Sequence, residues 1–358
     1  FLPLPDGDCL CVPATTGALA AQVARHSARD AERLPQWQSL LSEAAELVRA
    51  LLLQAPPARP LRPGLWELLR WSRRLRDLSP VHQRALHELF TRSAGAILAG
   101  WFQSDALKAL YGFDAVVGNY ASPYTPGSAY VLLHHALGEV NGIRGTWGHA
   151  IGGMGAITGA MAAQARACGA LIHTDAPVQR VWIENERARG IELADGRRIR
   201  ARAVAANVNP KLLYLQLVEP RHLPADFIAS MQRYRCASAT FRMNVALSEL
   251  PQFNAAPPGS ARTTGTTGTT AGTAGTAGAA HLGAGIILAP SLPYMDRAHA
   301  QARLQGYSSA PIIEMLIPST LDDSLAPRGA HVASLFCQHF APKLPHGRSW
   351  ESARDQVS

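Results

Sequence analysis

The stretch "GTWGHAIGGMGAITGAMAAQARACGALIHTDAPVQRVWIE" occupies residues 145–184 and decides the fold prediction. A glycine cluster comes first, and an alanine-rich segment that ends at Gly169 follows it. Small side chains let a helix lie close to a sheet, and a glycine commonly ends a helix. We therefore predict a helix over 155–169, a short strand at "ALIHT" (170–174) and a longer strand at "VQRVWIE" (178–184).

The stretch "RGIELADGRRIRARAVAAN" (189–207) continues the strand pattern. Its Asp195-Gly196 pair is a typical hairpin turn, so we predict one strand on each side of it. The second of these strands is expected to run to Asn207, because Pro210 cannot continue a strand interior. A helix followed by paired strands predicts an α/β fold for this region.

The glycine cluster does not match a dinucleotide-binding fingerprint. That motif is GxGxxG after an apolar strand, whereas Gly153-Met154-Gly155 is followed by Thr158 where the third glycine belongs. A phosphate-binding turn is therefore disfavoured. Two interpretations remain open: the glycines serve only the dihedral angles of a tight turn, or their bare backbone lets a flat ligand or an extended apolar substrate approach.

Helices and a second sheet are predicted outside this region. Residues 1–13 indicate a short hairpin, and the first third of the chain is mostly amphipathic helix, including segments at 64–78 and at 80–99. Such helices are packing elements or a lid over an apolar pocket. The segments "APIIEMLIPST" (310–320) and "HVASLFCQHF" (331–340) predict buried neighbouring strands, and the Thr/Gly/Ala repeat 261–280 predicts a flexible surface loop.

The charge of the chain narrows the class of partner. The formal net charge is +8, and 31 of the 34 basic residues are arginines scattered along the sequence. The absence of a basic run argues against nucleic acid and favours a solvated basic surface, with a phosphate-bearing ligand or peripheral contact with an anionic membrane as the alternative. No apolar run reaches the roughly 18 residues of a transmembrane helix.

Metal and nucleophile chemistry find no support in the sequence. The five cysteines form no CxxC pair, and their odd number fits a reducing compartment better than a disulfide framework. His134 and His135 are adjacent, so they cannot share one helix face, and we expect one packed and one exposed. We therefore predict no metal site, and no Ser-His-Asp pattern suggests another reaction.

The stretch 152–210 resembles the middle of the flavin-dependent phytoene desaturase and amine oxidase superfamily, in particular its carotenoid–retinoid oxidoreductase type. In that superfamily a GGMG-helix precedes a strand with an adenine-contacting valine, then "DG", then a strand that ends in Asn-x-x-Pro. The resemblance implies an α/β fold class, α+β in the substrate part. An incomplete FAD/NAD(P)-binding Rossmann-like domain would accompany a helical and antiparallel-sheet substrate domain. The expected divisions are 1–145 (helical substrate or lid region), 146–212 (cofactor-domain insert) and 213–358 (substrate-domain sheet).

The resemblance also implies roles for individual residues. The main-chain N–H and C=O of Val178 would hold adenine. Gly152, Gly153, Ala206 and Asn207 would lie against the cofactor. A further set would line the substrate cavity: Trp147, Ile151 and Met154. His149 is the titratable residue of that segment, so it is the candidate for proton handling, with a structural histidine as the alternative; no other catalytic residue is predicted.

The implied activity is that of an FAD-dependent oxidoreductase. A hydride would pass from an apolar or amine-like small molecule to the flavin, in the mitochondrial matrix, and this chain by itself is expected to be a central fragment that is inactive alone. The alternative is a catalytically silent interaction or regulatory protein that keeps the fold. A nicotinamide-linked dehydrogenase is disfavoured because the fingerprint is missing.

Overall fold

In this computed structural model some stretches of the chain are described and others are not. The described residues are 1–13, 16–52, 76, 79–144, 148–236, 240–255 and 280–357. Several predicted features lie outside them: Trp147, the helix 64–78 apart from Arg76, and the repeat 261–280 apart from Ala280.

Helices and antiparallel strands both occur, which fits the predicted fold class of α/β with α+β in the substrate part. The helices among the described residues are α1 (Thr16–Ala24), α2 (Ala28–Leu52), α3 (Pro80–Thr91), α4 (Ala94–Trp101), α5 (Asp105–Val116), α6 (Ala129–His135), α7 (Met154–Ala167), α8 (Pro210–Leu212), α9 (Ala225–Arg233), α10 (Leu292–Gln305) and α11 (Trp350–Val357). The strands are β1 (Leu2–Pro3), β2 (Cys9–Leu10), β3 (Glu139–Val140), β4 (Ile143–Arg144), β5 (Val178–Glu184), β6 (Arg187–Leu193), β7 (Arg198–Arg200), β8 (Thr240–Leu247), β9 (Ile286–Leu288), β10 (Tyr307–Leu316) and β11 (His331–Phe340). Short π-helical or 3-10 turns lie at Leu213–Leu217, Pro220–His222, Ala280–Gly283, Pro318–Thr320 and Asp323–Leu325.

The chain divides into two compact units, one of residues 1–154 and 238–358 and the other of residues 155–237. The second unit begins and ends later than the predicted insert of 146–212. Its end lies later because α9 packs on the turn Leu213–Leu217, where the rings of Tyr214 and Phe227 meet at 4.9 Å. Its beginning lies later because residues just before it are hydrogen-bonded within the first unit, as described below.

The first unit has a large apolar core. Trp37 of α2 is fully buried, and its ring centroid lies 5.4 Å from that of Trp101, 5.7 Å from that of Phe102 and 5.6 Å from that of Tyr111. Aromatic side chains bury large apolar areas, so this cluster is a main source of the unit's stability. The predicted hairpin of 1–13 is confirmed as β1 and β2, with Gly7 at a positive φ in its turn.

The helix predicted over 80–99 is wrong, because the structure has two helices there. α3 ends at Thr91, and α4 starts afresh at Ala94. Ser93 has an extended backbone, and its hydroxyl accepts a hydrogen bond from the N–H of Ala96, which makes it the N-cap of α4. A serine inside an amphipathic pattern looks like a surface position, so the pattern alone hid this break.

The sheet of the first unit has the strand order β8-β11-β10-β9, and all its neighbours are antiparallel. The predicted strands at 310–320 and 331–340 are confirmed as the adjacent pair β10 and β11. The connection between them, residues 317–330, contains the two 3-10 turns that hold Asp322. This connection positions the functional site described below.

The second unit contains α7, the three-stranded antiparallel sheet β5-β6-β7, and the short helices that follow it. The predicted helix and the Asp195-Gly196 hairpin are confirmed, and Gly169 has the left-handed φ of a helix end. Two strand predictions are wrong. Residues 170–174 form no strand, and β7 ends at Arg200 instead of reaching Asn207. In both places a strand would need a partner, and the described residues provide none.

Tight packing of α7 against a sheet is likewise not found, because the described residues bury no side chain of this helix. Several of its apolar residues are exposed, Ile157 by 50% and Met161 by 67%. Leu171 beyond the helix is 86% exposed. The small residues of α7 therefore form an open surface of this unit.

Candidate functional site

The glycine cluster forms a left-handed turn directly before α7. Gly152 has a φ of +84° and Gly153 a φ of +76°, and the N–H of Gly153 donates to the carbonyl of Ala150 over 2.9 Å. Two successive residues with positive φ strain any side chain larger than hydrogen. The interpretation that the glycines serve the dihedral angles of a tight turn is therefore supported by the backbone itself.

A buried aspartate from the β10–β11 connection holds this turn. The N–H of Gly152 donates to Oδ2 of Asp322 over 2.6 Å. Ser324 donates its N–H over 3.0 Å and its hydroxyl over 2.6 Å to Oδ1 of the same carboxylate. Only 3% of the Asp322 side chain is exposed. The hydrogen bonds from Ser324 and Gly152 lower the pKa of Asp322, because they stabilise its charged form.

This arrangement argues against a phosphate at the turn. The N–H groups of Gly152 and Gly153 already donate, one to Asp322 and the other to Ala150. The carboxylate also places a negative charge beside the turn, which repels a second anion. A cofactor or substrate can therefore meet Gly152 and Gly153 only through their bare backbone surface, which is what the predicted contact with a flat ring requires.

The other predicted residues around the turn are open to solvent within their unit. Ile151 is 70% exposed and Met154 is 81% exposed. The His149 side chain is 30% exposed, and its Nε2 lies 3.9 Å from Oδ2 of Asp322. An apolar rim thus flanks a histidine that faces a buried carboxylate. The predicted roles of Ile151, Met154 and His149 stay predictions.

Val178 lies in the second unit, at the start of the edge strand β5. The N–H of Ala194 donates to the carbonyl of Pro177 over 2.9 Å, and Leu193 turns its N–H and C=O toward the β7 side. Val178 is the partner of Leu193, so it occupies the pair without mutual hydrogen bonds. The N–H and C=O of Val178 therefore point away from β6, to the outer edge of the sheet, where a ligand can reach both.

The sheet that presents this edge is braced by ion pairs. Arg180 reaches Glu192 over 3.0 Å and Glu219 over 3.1 Å, and Arg198 reaches Glu192 over 2.7 Å. Hydrogen bonds from Arg180 and Arg198 lower the pKa of Glu192. These pairs connect neighbouring strands of the sheet just beyond the register shift between Val178 and Arg180.

Ala206 and Asn207 lie in the same unit but not on a strand. Both residues are exposed and belong to the irregular segment after β7. Asn209, two residues further on, caps α8 by accepting the N–H of Lys211 over 2.9 Å. The Asn-x-x-Pro end therefore starts a helix here, and the predicted cofactor contact of Ala206 and Asn207 stays a prediction.

The paired histidines behave as predicted. His134 is exposed, whereas the His135 side chain is only 15% exposed, and burial lowers its pKa to about 4. Across the described ranges, no cluster of three or more potential ligands could hold a metal ion. No described helix combines the length and apolar content that crossing a bilayer requires.

Asp322 is the residue of this candidate site that the sequence did not reveal. It lies 170 residues from Gly152, and its local pattern, Asp322-Asp323-Ser324, is that of an ordinary turn. The sequence contains one weak indication, since these three polar residues lie between two apolar segments that were predicted to be strands. Nothing in that indication names the partner.

Comparisons with known proteins agree with the resemblance predicted from the 152–210 motifs. Residues 13–243 match the model of a family described as flavin containing amine oxidoreductase. The pyridine nucleotide-disulfide oxidoreductase domain-containing protein 2 of Rattus norvegicus is 34% identical over 346 residues, which is 93% of this chain and 57% of that protein. Its Mus musculus counterpart is 34% identical over 343 residues, 92% of this chain and 56% of its own length. The zeta-carotene-forming phytoene desaturase of Myxococcus xanthus is 33% identical over 178 residues, 48% of this chain and 32% of that enzyme.

Proposed function

Because the chain belongs to the flavin containing amine oxidoreductase family, we propose that the protein is an FAD-dependent oxidoreductase acting on an apolar or amine-like substrate. The activity of the whole protein is part of this proposal, since the chain spans little more than half the length of its mammalian relatives. When bound, a flavin supplies the redox chemistry by accepting a hydride, and the protein binds and orients the reactants.

The outer edge of β5 is the observation that carries the proposal. Adenine presents an amino donor beside ring-nitrogen acceptors, so one residue with an outward N–H and an outward C=O is complementary to it. Val178 has this arrangement, because Leu193 and Ala194 direct their own groups elsewhere. Its side chain is 37% exposed, so that end of the strand is accessible within its unit.

The segment before α7 supports the apolar side of the substrate class. Ile151 and Met154 expose most of their surface beside a turn whose glycines carry no side chains. Exposed apolar side chains grouped at a rigid turn are typical of a ligand-contact surface. His149 is the titratable side chain among the described residues of this segment, 148–154.

The test uses the full-length protein and its flavin absorbance. We expect the purified wild-type protein to be yellow and Val178→Ala to keep its flavin, because the main chain is unchanged. Val178→Pro removes the outward N–H, which an edge strand tolerates, and is expected to weaken FAD binding about tenfold, the worth of one hydrogen bond. Isothermal titration of the apoprotein with FAD measures the difference.

The result that would overturn the proposal is equally clear. A full-length protein that carries no flavin, and that cannot be loaded with FAD, would support a non-catalytic interaction protein instead. Equal FAD affinity of Val178→Pro and Val178→Ala would remove the adenine role from β5 while leaving the flavoprotein intact.

We further propose a mitochondrial matrix location, on the strength of the carotenoid–retinoid oxidoreductase resemblance of residues 152–210. Fractionation of cells that express the full-length protein, with protease protection of intact and detergent-opened mitochondria, tests it. Recovery in another fraction would reject the location without bearing on the flavin.

A further inference from the structure

The pair formed by His149 and Asp322 is a feature of the first unit that ordinary packing does not explain. Asp322 is a charged group with 3% of its side chain exposed, and burying a charge is unfavourable unless it is paired. Its hydrogen bonds come from Gly152 and Ser324, which are uncharged donors. Among the described residues, His149 is the one basic side chain that forms an ion-pair contact with it.

The two oxygens of Asp322 have separate partners. Oδ1 accepts from Ser324, whereas Oδ2 accepts from Gly152 and faces Nε2 of His149 over 3.9 Å. That spacing is an ion-pair distance, and catalytic contacts are commonly longer before the substrate binds. The Asp322 carboxylate therefore lies within ion-pair range of the imidazole and faces its Nε2.

The orientation leaves the other nitrogen of His149, Nδ1, for a ligand. The His149 side chain is 30% exposed, so a ligand can reach the imidazole from solvent. A histidine with one nitrogen directed at a buried carboxylate and the other free is the usual arrangement of a general base. His134 on α6 is an exposed histidine without such a carboxylate in contact among the described residues.

We propose that His149 and Asp322 form a proton-accepting pair for an amine substrate, in which His149 is the base and Asp322 positions it. This inference rests on the proposed function and selects the amine within its substrate class. Nδ1 of His149 takes one proton from the substrate ammonium, which becomes a neutral amine. The amine lone pair then forms the C=N bond of an iminium as the neighbouring C–H hydrogen leaves with its electron pair to the flavin, the oxidant.

The glycine turn is connected to the His149–Asp322 pair through the same carboxylate. Because one oxygen of Asp322 contacts both Gly152 and His149, the backbone before α7 and the imidazole are held by a single group. Asn in place of Asp322 keeps one acceptor but replaces the other with a donor, which opposes the N–H of Gly152 and removes the negative charge that faces His149. The substitution is therefore expected to loosen the turn and to slow the reaction together.

The experiment compares His149→Gln, Asp322→Asn and Asp322→Glu in the full-length, flavin-loaded protein. Asp323→Asn is the control for the aspartate variants, because Asp323 is the exposed neighbour of Asp322. His134→Gln is the control for His149→Gln, because His134 is an exposed histidine outside the pair. Anaerobic bleaching of the flavin by a panel of primary, secondary and tertiary alkylamines reports the reaction across a pH series. Hydrogen exchange of the Gly152 and Gly153 amides reports the turn independently of activity.

For the wild type we expect bleaching by at least one amine. His149→Gln should slow it about 100- to 10,000-fold and flatten its pH profile, while the Gly152 and Gly153 amides stay protected. Asp322→Asn should both slow bleaching and deprotect those amides, and Asp322→Glu should restore part of each. A double variant that combines His149→Gln with Asp322→Asn should bleach no more slowly than His149→Gln alone, because the two residues act as one unit.

Each contrary result has its own meaning. Wild-type bleaching with His149→Gln within threefold of it and an unchanged pH profile would overturn the pair alone. A flavin-loaded wild type that no amine bleaches would overturn the amine substrate and the pair while the flavoprotein stands. A wild type without flavin would overturn the proposed function and the pair with it.

Discussion

The two units of this protein both contain helices and antiparallel strands but differ in what they bury. The first unit packs helices and a four-stranded sheet around fully buried side chains such as Trp37, Leu98 and Ile312. In the second unit, Leu193 and Val218 are the buried apolar residues among those described, while Ile157, Met161 and Leu171 are exposed. The first unit has a large apolar core, whereas the second has few buried apolar residues and several ion pairs between its strands.

The difference shows where ligand-binding surface is to be sought. Apolar surface left open lowers stability, so a chain that retains it has another use for it. The first unit combines its core with an exposed apolar rim beside Asp322, formed by Ile151 and Met154. The second unit keeps an open strand edge at Val178 and an open helix surface on α7. The proposed adenine contact at Val178 and the proposed base His149 therefore both lie beside exposed surface.

The largest expected effect tests the core of the first unit. Trp37→Ala should lower the free energy of unfolding by about 3–5 kcal/mol, because it opens a cavity among three aromatic rings. Ile157→Ala in the half-exposed α7 should change it by less than about 0.5 kcal/mol. Urea denaturation followed by circular dichroism measures both, and equal losses would break the contrast between the units.

Acid sensitivity should also belong to the first unit. His339 is fully buried, and both of its ring nitrogens lack a partner among the described residues. Burial, with help from His299, lowers its pKa from 6.5 to about 3. The unfolded chain thus binds the proton more readily, so stability is full above pH 6.5 and falls by about 1.4 kcal/mol per pH unit as the pH drops toward 3.

The variant His339→Leu isolates that contribution. Between pH 6.5 and 4.5 we expect the wild type to lose about 2 kcal/mol more unfolding free energy than the variant. The comparison at each pH cancels other groups, such as Asp114, whose pKa burial raises to about 7 and which therefore acts in the opposite direction. Parallel acid curves for the two proteins would show that His339 does not resist protonation.

A smaller effect sharpens the account of the second unit. Gly190 has a φ of +155°, and a methyl group there would overlap the carbonyl oxygen of Ile199 on β7. Gly190→Ala should therefore cost about 1–3 kcal/mol and separate β7 from β6, which hydrogen exchange of the 187–200 amides would detect. Gly196→Ala, with open space around it, should cost only about 1 kcal/mol. Identical exchange in both variants would contradict a sheet held by close backbone contact.

The smallest expected effect concerns the break between α3 and α4. Ser93→Ala removes the hydroxyl that caps α4 and should lower the unfolding free energy by about 1 kcal/mol. Ser93→Asp keeps an acceptor at the cap and serves as the control. If Ser93→Ala were neutral, the split of the predicted single helix would have another cause.

Several elements were predictable from the sequence because neighbouring residues specify them. The hairpins at Gly7 and at Asp195-Gly196, the helix end at Gly169 and the strands β10 and β11 all follow from turn residues or apolar runs. The strand predicted at 170–174 failed for the opposite reason. A strand is a pairing, and Leu171 has the right side chain without a partner strand among the described residues.

The candidate site divides in the same way. Gly152, Gly153 and His149 could be identified from a short motif and its family resemblance. Asp322 could not, because its contact with Gly152 joins positions far apart in the chain. The outward direction of the Val178 N–H could not either, since it depends on the register of β5 against β6.

What the sequence by itself determined is local: where the backbone must turn left-handed, where a helix ends, and which family the motifs resemble. These follow from the steric freedom of single residues and from side chains a few positions apart. Only the tertiary structure decided that the carboxylate of Asp322, from the β10–β11 connection, accepts a hydrogen bond from the glycine turn and faces His149. Such a contact depends on how distant segments fold against each other, and no spacing along the chain encodes that distance.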